Sequence, residues 1–178
     1  MENTVLLVVD VQTALMNSHP YHETEFIDNI RKITEVARKS DIEVVYIRHD
    51  DGKGTELERD TEGWEIFHLV APKGGEKIFD KKYNSAFKET GLKDYLDGKK
   101  INNLILVGMQ TEYCIDASCK VAFEHGYSLI IPSKATTTFN SRFSPAEALI
   151  NFYEKQIWNG RFAEVVSIDE VIERMMQK

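Results

Sequence analysis

The chain has 178 residues, of which 42% are apolar and ten are glycine, a balance that supports a packed core without covalent staples. Acidic side chains outnumber basic ones 29 to 22, and the densest basic groupings are the pairs Lys81-Lys82 and Lys99-Lys100. With a net charge of −7 and no gathered basic face, composition argues against a nucleic-acid or anionic-membrane partner.

Val5 to Val9 is the first strand-sized apolar run, and it stops at Asp10. The residues before it are too few and too acidic for a secretion signal, and no run in the chain is long enough to span a bilayer, so the expected location is the cytoplasm. Phe26, Ile30, Ile33 and Ala37 recur at i, i+4, i+7 and i+11, which predicts a helix with one apolar face. Val44 to Ile47 is a second strand. From Asp50 to Glu76 there is no sustained period and there are five glycines; following a strand, this segment is expected to wall or cover a pocket at the carboxyl edge of the sheet. Ile78-Phe79 is a short strand, Leu104 to Val107 a longer one, and Ile115, Cys119, Ala122 and Phe123 mark the face of the next helix. Leu129 to Ile131 and Val165-Val166 complete the strands. Ser144-Pro145-Ala146-Glu147 and Ser167-Ile168-Asp169-Glu170 each read as a capping box opening a helix.

Alternation of this kind predicts an α/β fold: a three-layer, doubly wound, mostly parallel six-stranded sheet with helices on both faces. Without a repeat, linker or low-complexity tract, one domain is expected over residues 1–178.

Three residues carry chemistry. Asp10 puts a carboxylate at the carboxyl tip of a central strand, a position that suits a helix cap as well as it suits catalysis. Cys114 sits where a helix is expected to start, so the helix dipole and free backbone N–H groups would lower its pKa and hold a developing oxyanion; a small buried hydrophobe at a turn fits the same position. Cys119 lies on the apolar stripe and reads as an inert core residue. On helical geometry the two cysteines are about 8.6 Å apart at Cα, too far to form a disulfide. Lys81 and Lys82 taken alone suit a solvated face.

Together, Leu6-Leu7-Val8-Val9-Asp10-Val11-Gln12, Lys81 through Phe87, and Gly108-Met109-Gln110-Thr111-Glu112-Tyr113-Cys114 resemble the isochorismatase-like cysteine hydrolase family, in order and over nearly the whole chain. Lys81 is four residues before Ser85, and Cys114 is six after Gly108, the spacings of that family; Lys82 is then a bystander. The resemblance implies a Rossmann-like isochorismatase-type fold and a thioester route in which Asp10 takes the thiol proton, Lys81 holds acid and sulfur in register, and Cys114 attacks an amide-like carbon. It further implies an oxyanion hole from the N–H groups of Gln110 and Cys114, with a cis peptide at Met109-Gln110.

The sequence departs from two branches of the family. The Asp-x-His pair of the metal-binding nicotinamidases is absent, since strand two runs Arg48-His49-Asp50-Asp51 and the next histidine is His68; solvated or capping roles suit these residues better than an improvised metal site. The vinyl-ether-cleaving branch typically lacks the cysteine, so Cys114 points to an amide, ureido or carbamoyl substrate. No metal or cofactor is called for. Gln12, Trp64, Phe67, Gln110, Tyr113 and Phe139 fall near strand ends and are candidates to line the substrate pocket. The partners expected are a small-molecule substrate and, through Phe139 to Phe143 and the helix after it, further copies of the chain in a homo-oligomer. The alternatives are a metal-assisted nicotinamidase-like amidase and a non-catalytic binding protein on the same fold.

Overall fold

The computed structural model describes residues 1–177. In chain order the first half holds β1 (Thr4–Val9), α1 (Thr13–Asn17), α2 (Glu23–Lys39), β2 (Glu43–His49), β3 (Lys77–Lys81) and α3 (Leu92–Gly98). The second half holds β4 (Asn103–Met109), α4 (Asp116–Glu124), β5 (Ser128–Pro132), β6 (Thr136–Thr137), α5 (Ala146–Phe152), β7 (Glu164–Val166) and α6 (Ile168–Met176). Among the described residues no helix is long and apolar enough to cross a membrane.

β1 is buried along its whole length because both faces of the sheet are covered. Leu6 and Val8 pack toward α2 and α6, which contribute Phe26, Ile30, Ile33 and Ala37, and Val171, Ile172 and Met175. Val5, Leu7 and Val9 pack on the other side with Leu92 and Leu96 of α3 and Cys119 and Ala122 of α4. Each fully buried aliphatic side chain of this kind is worth about 1.5–3 kcal/mol, so the two apolar stripes dock their helices firmly on the sheet. Phe123 departs from the expected stripe: it is exposed and packs edge-to-face on Phe162 instead.

The path β3-β2-β1-β4-β5-β7 is parallel throughout, as the buried strands imply. β6 makes the sheet seven-stranded rather than six, pairing Thr136 and Thr137 with Gly108 and Met109 of β4. Two threonines make no apolar run, which is why this strand leaves no pattern in the sequence. The Ser167 cap is formed, its side chain accepting from Glu170 N–H. The Ser144 cap is not: the helix starts at Ala146, whose N–H donates to Asn140 Oδ1 at 2.9 Å, while the Ser144 hydroxyl turns to the Pro145 carbonyl.

The chain winds outward from β1 through β2 to β3, then crosses back to β4 and winds the other way. The strand order therefore reverses between β1 and β4, and the crevice at their carboxyl ends is where folds of this type bind ligands.

Candidate active site

Asp10 and Cys114 follow the two strands that flank this switch point, and the close approach of those strands depends on one glycine. Gly108 has φ +128°, and a Cβ there would stand 2.0 Å from the carbonyl oxygen of Val9, its register partner. Asp10 leaves β1 in the left-handed region at φ 54°, a conformation Asp adopts more readily than most residues, and its N–H donates to Ile47 O. Beyond β4 the Met109–Gln110 peptide is cis. The chain then makes one wide turn over Thr111–Ile115, closed by Ile115 N–H to Gln110 O at 3.1 Å, before α4 begins. Cys114 lies in that wide turn, ahead of the regular helix rather than on its first residue.

Lys81 ends β3, two strands from β1, and its side chain is fully buried while Lys82 is exposed. Its ammonium reaches 2.6 Å from Asp10 Oδ2, 3.2 Å from Cys114 Sγ and 3.0 Å from His49 Nδ1. The ammonium thus pairs with Asp10 and hydrogen-bonds to Cys114 Sγ and His49 Nδ1. His49 Nδ1 must accept in this arrangement, which puts the ring proton on Nε2, 3.4 Å from Asp51 Oδ1. Apart from the ion pair, neither Asp10 oxygen has a hydrogen-bond partner among the described residues.

Burial is the strongest single influence on Lys81 and works against its charge, but Asp10 and Cys114 together outweigh it and hold the ammonium above its ordinary range. For Cys114 burial and the Asp10 charge act together, overcome the opposing pull of Lys81 and push the thiol up to about 12. This corrects the expectation of a thiolate stabilised by a helix start. Burial first, and then the Asp10 carboxylate, favour the protonated thiol. Cys119 is also pushed up to about 12, by burial first; both cysteines are free thiols.

A pocket of about 200 Å³ opens at Cys114 and Asp10, lined further by Gln110 and Tyr113 from the turn after β4. Asp51 and Leu57 of the irregular segment and Asn84 from the loop after β3 add to its wall with Leu15, His49 and Met109, so that segment does border the pocket as expected. Four sequence candidates lie elsewhere. Gln12 is wholly buried, its amide bonded to both backbone groups of His49 and to Trp64 O. Trp64 is buried under the Arg48 guanidinium, whose central carbon stands 3.4 Å from the ring centroid. Phe67 packs toward α2 and lines a separate groove with Met16 and Leu69. Phe139 joins the same core. Proximity to strand ends in the sequence does not say which way a side chain turns, and these four turn away from the pocket. Asp51 and Leu57 were anticipated only as part of the irregular segment, and His49, Asn84, Leu15 and Met109 were not anticipated as pocket residues. Asn84 falls inside the Lys81–Phe87 motif, a signal that could have marked it.

The site does not fit a metal. His49 Nδ1 faces the Lys81 ammonium, His68 packs against Phe67 with ring centroids 4.6 Å apart, and among the described residues no group of three or more His, Cys, Asp or Glu is gathered to bind an ion.

Fold and site define a doubly wound α/β protein with a thiol, a carboxylate and an ammonium clustered at its ligand-binding edge. Residues 4–170 match the isochorismatase domain, and the chain belongs to the isochorismatase family of hydrolases. It is 30% identical to a streptothricin hydrolase from Streptomyces noursei over 142 residues, 79% of this chain and 51% of that protein. An N-carbamoylsarcosine amidase from an Arthrobacter species is 29% identical over 174 residues, 88% of this chain and 63% of that protein. The chain thus spans between half and two thirds of the length of these two relatives. A crystal structure of an isochorismatase family protein superposes with a TM-score of 0.87 at 27% identity, covering 94% of this chain and 99% of that one.

Proposed function

We propose that the protein is a cysteine-dependent hydrolase that cleaves the C–N bond of a small amide, ureide or carbamoyl compound, with Asp10, Lys81 and Cys114 as its catalytic residues. The observation that carries this is the single buried ammonium of Lys81 in contact with both Asp10 Oδ2 and Cys114 Sγ beside a small pocket. The amidase among its relatives supports the bond type.

With the thiol protonated at rest, attack requires a base beside it, and the Asp10 carboxylate has lone pairs that no donor but Lys81 engages. Asp10 takes the proton as the sulfur adds to the carbonyl carbon. Lys81 stays charged, offsetting negative charge as it moves from the carboxylate to the sulfur. Backbone N–H groups of Gln110 and Cys114 are the proposed oxyanion donors, both residues lining the pocket. When the C–N bond breaks, Asp10 returns the proton to the departing amine or ammonia and leaves an S-acyl enzyme. Asp10 then deprotonates a water that attacks the acyl carbon; the acid departs and the proton returns to sulfur.

Ammonia release from a panel of small amides and ureides, with Cys114→Ala as control, tests the proposal. Activity confined to the wild type, with a covalent aldehyde adduct at Cys114, is the expected result. An active Cys114→Ala variant, or no adduct, would overturn it.

A further inference from the structure

We infer that the pocket selects substrates carrying a positive charge, a primary amine or a guanidinium, close to the scissile bond, and that Asp51 is the residue that selects them. This rests on, and sharpens, the reading of Cys114 as nucleophile.

Charge balance at the site leads there. Asp10 and Lys81 cancel, and passing the Cys114 proton to Asp10 exchanges one negative group for another beside the same ammonium, so the trio is neutral at rest and when activated. His49 turns its Nδ1 to the Lys81 ammonium, 3.0 Å away, and so faces the trio rather than the open pocket. Asp51 remains. Its carboxylate is 63% exposed, and its partner is the far side of the His49 ring, at the long distance of 3.4 Å. No lysine or arginine is among the residues lining the pocket, and the one cation beneath it is buried and already paired with Asp10. The wall therefore carries a net charge of −1, facing a space of about 200 Å³, smaller than the roughly 300 Å³ at which drug-sized sites begin. In so confined a volume a molecule with its carbonyl at Cys114 brings its other groups near Asp51. A cationic substituent gains from this field and a carboxylate loses by it. The neutral groups of the wall, the side chains of Asn84, Gln110 and Tyr113, do nothing to reverse that sign.

Alkylation of Cys114 reads this field without relying on amide turnover. Three probes of similar size are used, 2-bromoethylamine (cationic), iodoacetamide (neutral) and iodoacetate (anionic), with each rate at Cys114, followed by peptide mass, divided by its rate with 2-mercaptoethanol. The expected order is cation, neutral, anion, with about tenfold between the ends at low ionic strength, shrinking in 1 M NaCl as the exposed charge is screened. Asp51→Asn should bring the three normalised rates to within about twofold, and Asp51→Glu should restore the spread. Equal normalised rates in the wild type, a spread that survives Asp51→Asn, or one that ignores salt would each overturn the inference. An absence of amide hydrolysis with the expected order intact would count against the proposed reaction and leave the charge selection standing.

Discussion

Gln12 holds His49 by both of its backbone groups: the His49 N–H donates to Gln12 Oε1 and Gln12 Nε2 donates to the His49 carbonyl, each at 2.9 Å. The other amide proton goes to Trp64 O at 2.8 Å, so one buried side chain ties the end of β2 to the irregular segment that borders the pocket. His49 in turn accepts from Lys81, which links this clamp to the ammonium.

Replacing Gln12 with Leu takes this partner from the half-buried N–H and carbonyl of His49 and from the buried carbonyl of Trp64. At about 1–3 kcal/mol for a buried group left unsatisfied, and with partial relaxation, the expected loss of stability is about 2–4 kcal/mol. Urea unfolding should report it as a lower midpoint with an unchanged slope. A loss below about 1 kcal/mol would mean that the clamp is not what orders this edge.

Lys81→Met should remove activity and also destabilise the fold, since it leaves the Asp10 carboxylate buried without a counter-charge. Breaking one partner of a buried pair typically costs about 3–5 kcal/mol, whereas replacing both is far milder. The double variant Asp10→Asn/Lys81→Met is accordingly expected to be inactive and more stable than Lys81→Met alone. Thermal melts of the three proteins decide this; a double variant no more stable than the single one would show that the pair is not coupled.

How much of this was legible in the sequence follows from where each signal resides. Strands buried on both faces advertise themselves as apolar runs, so β1, β2, β4 and β5 could be read directly, and the α2 stripe of Phe26, Ile30, Ile33 and Ala37 is buried as its period implies. Asp10, Lys81 and Cys114 were singled out by the resemblance of their three motifs to a known family, and the fold brings them together, with Lys81 touching both of the others. What escaped depends on side-chain direction and on polar pairing. β6 is two threonines, the α5 cap comes from Asn140 six residues upstream, and Gln12 and Trp64 are buried rather than turned to the pocket. The upward push on the Cys114 thiol could not be read either, because burial and the carboxylate that follows the neighbouring strand cause it.

Alkaline pH should weaken the fold through both thiols. Cys114 and Cys119 are each pushed from 9.0 up to about 12 in the folded chain, so between those values the unfolded state has lost protons that the native state still holds. The stability these two groups provide is complete below about pH 9 and is lost as pH rises toward 12. Cys119→Ala, which leaves Cys114 in place, should flatten the decline of stability over that window relative to the wild type. Identical slopes for the two proteins in denaturant titrations from pH 8.5 upward would refute the assignment.

Gly108→Ala tests whether strand spacing sets the site. At φ +128° an alanine is strained, and its methyl would stand 2.0 Å from Val9 O, a backbone atom that can yield only if β1 and β4 separate. An overlap of that kind belongs with the exceptional substitutions that cost more than about 4 kcal/mol, equivalent to a fall of about 10 °C or more in Tm for a chain of this size. Because Asp10 follows β1 and Cys114 follows β4, the same separation should draw the carboxylate and the thiol apart. Protein that remains folded at low temperature should then form aldehyde adduct at Cys114 several-fold more slowly than the wild type. A variant that melts like the wild type would show that β1 and β4 accommodate a side chain at Gly108, and that the approach of Asp10 to Cys114 is set by something other than the glycine between them.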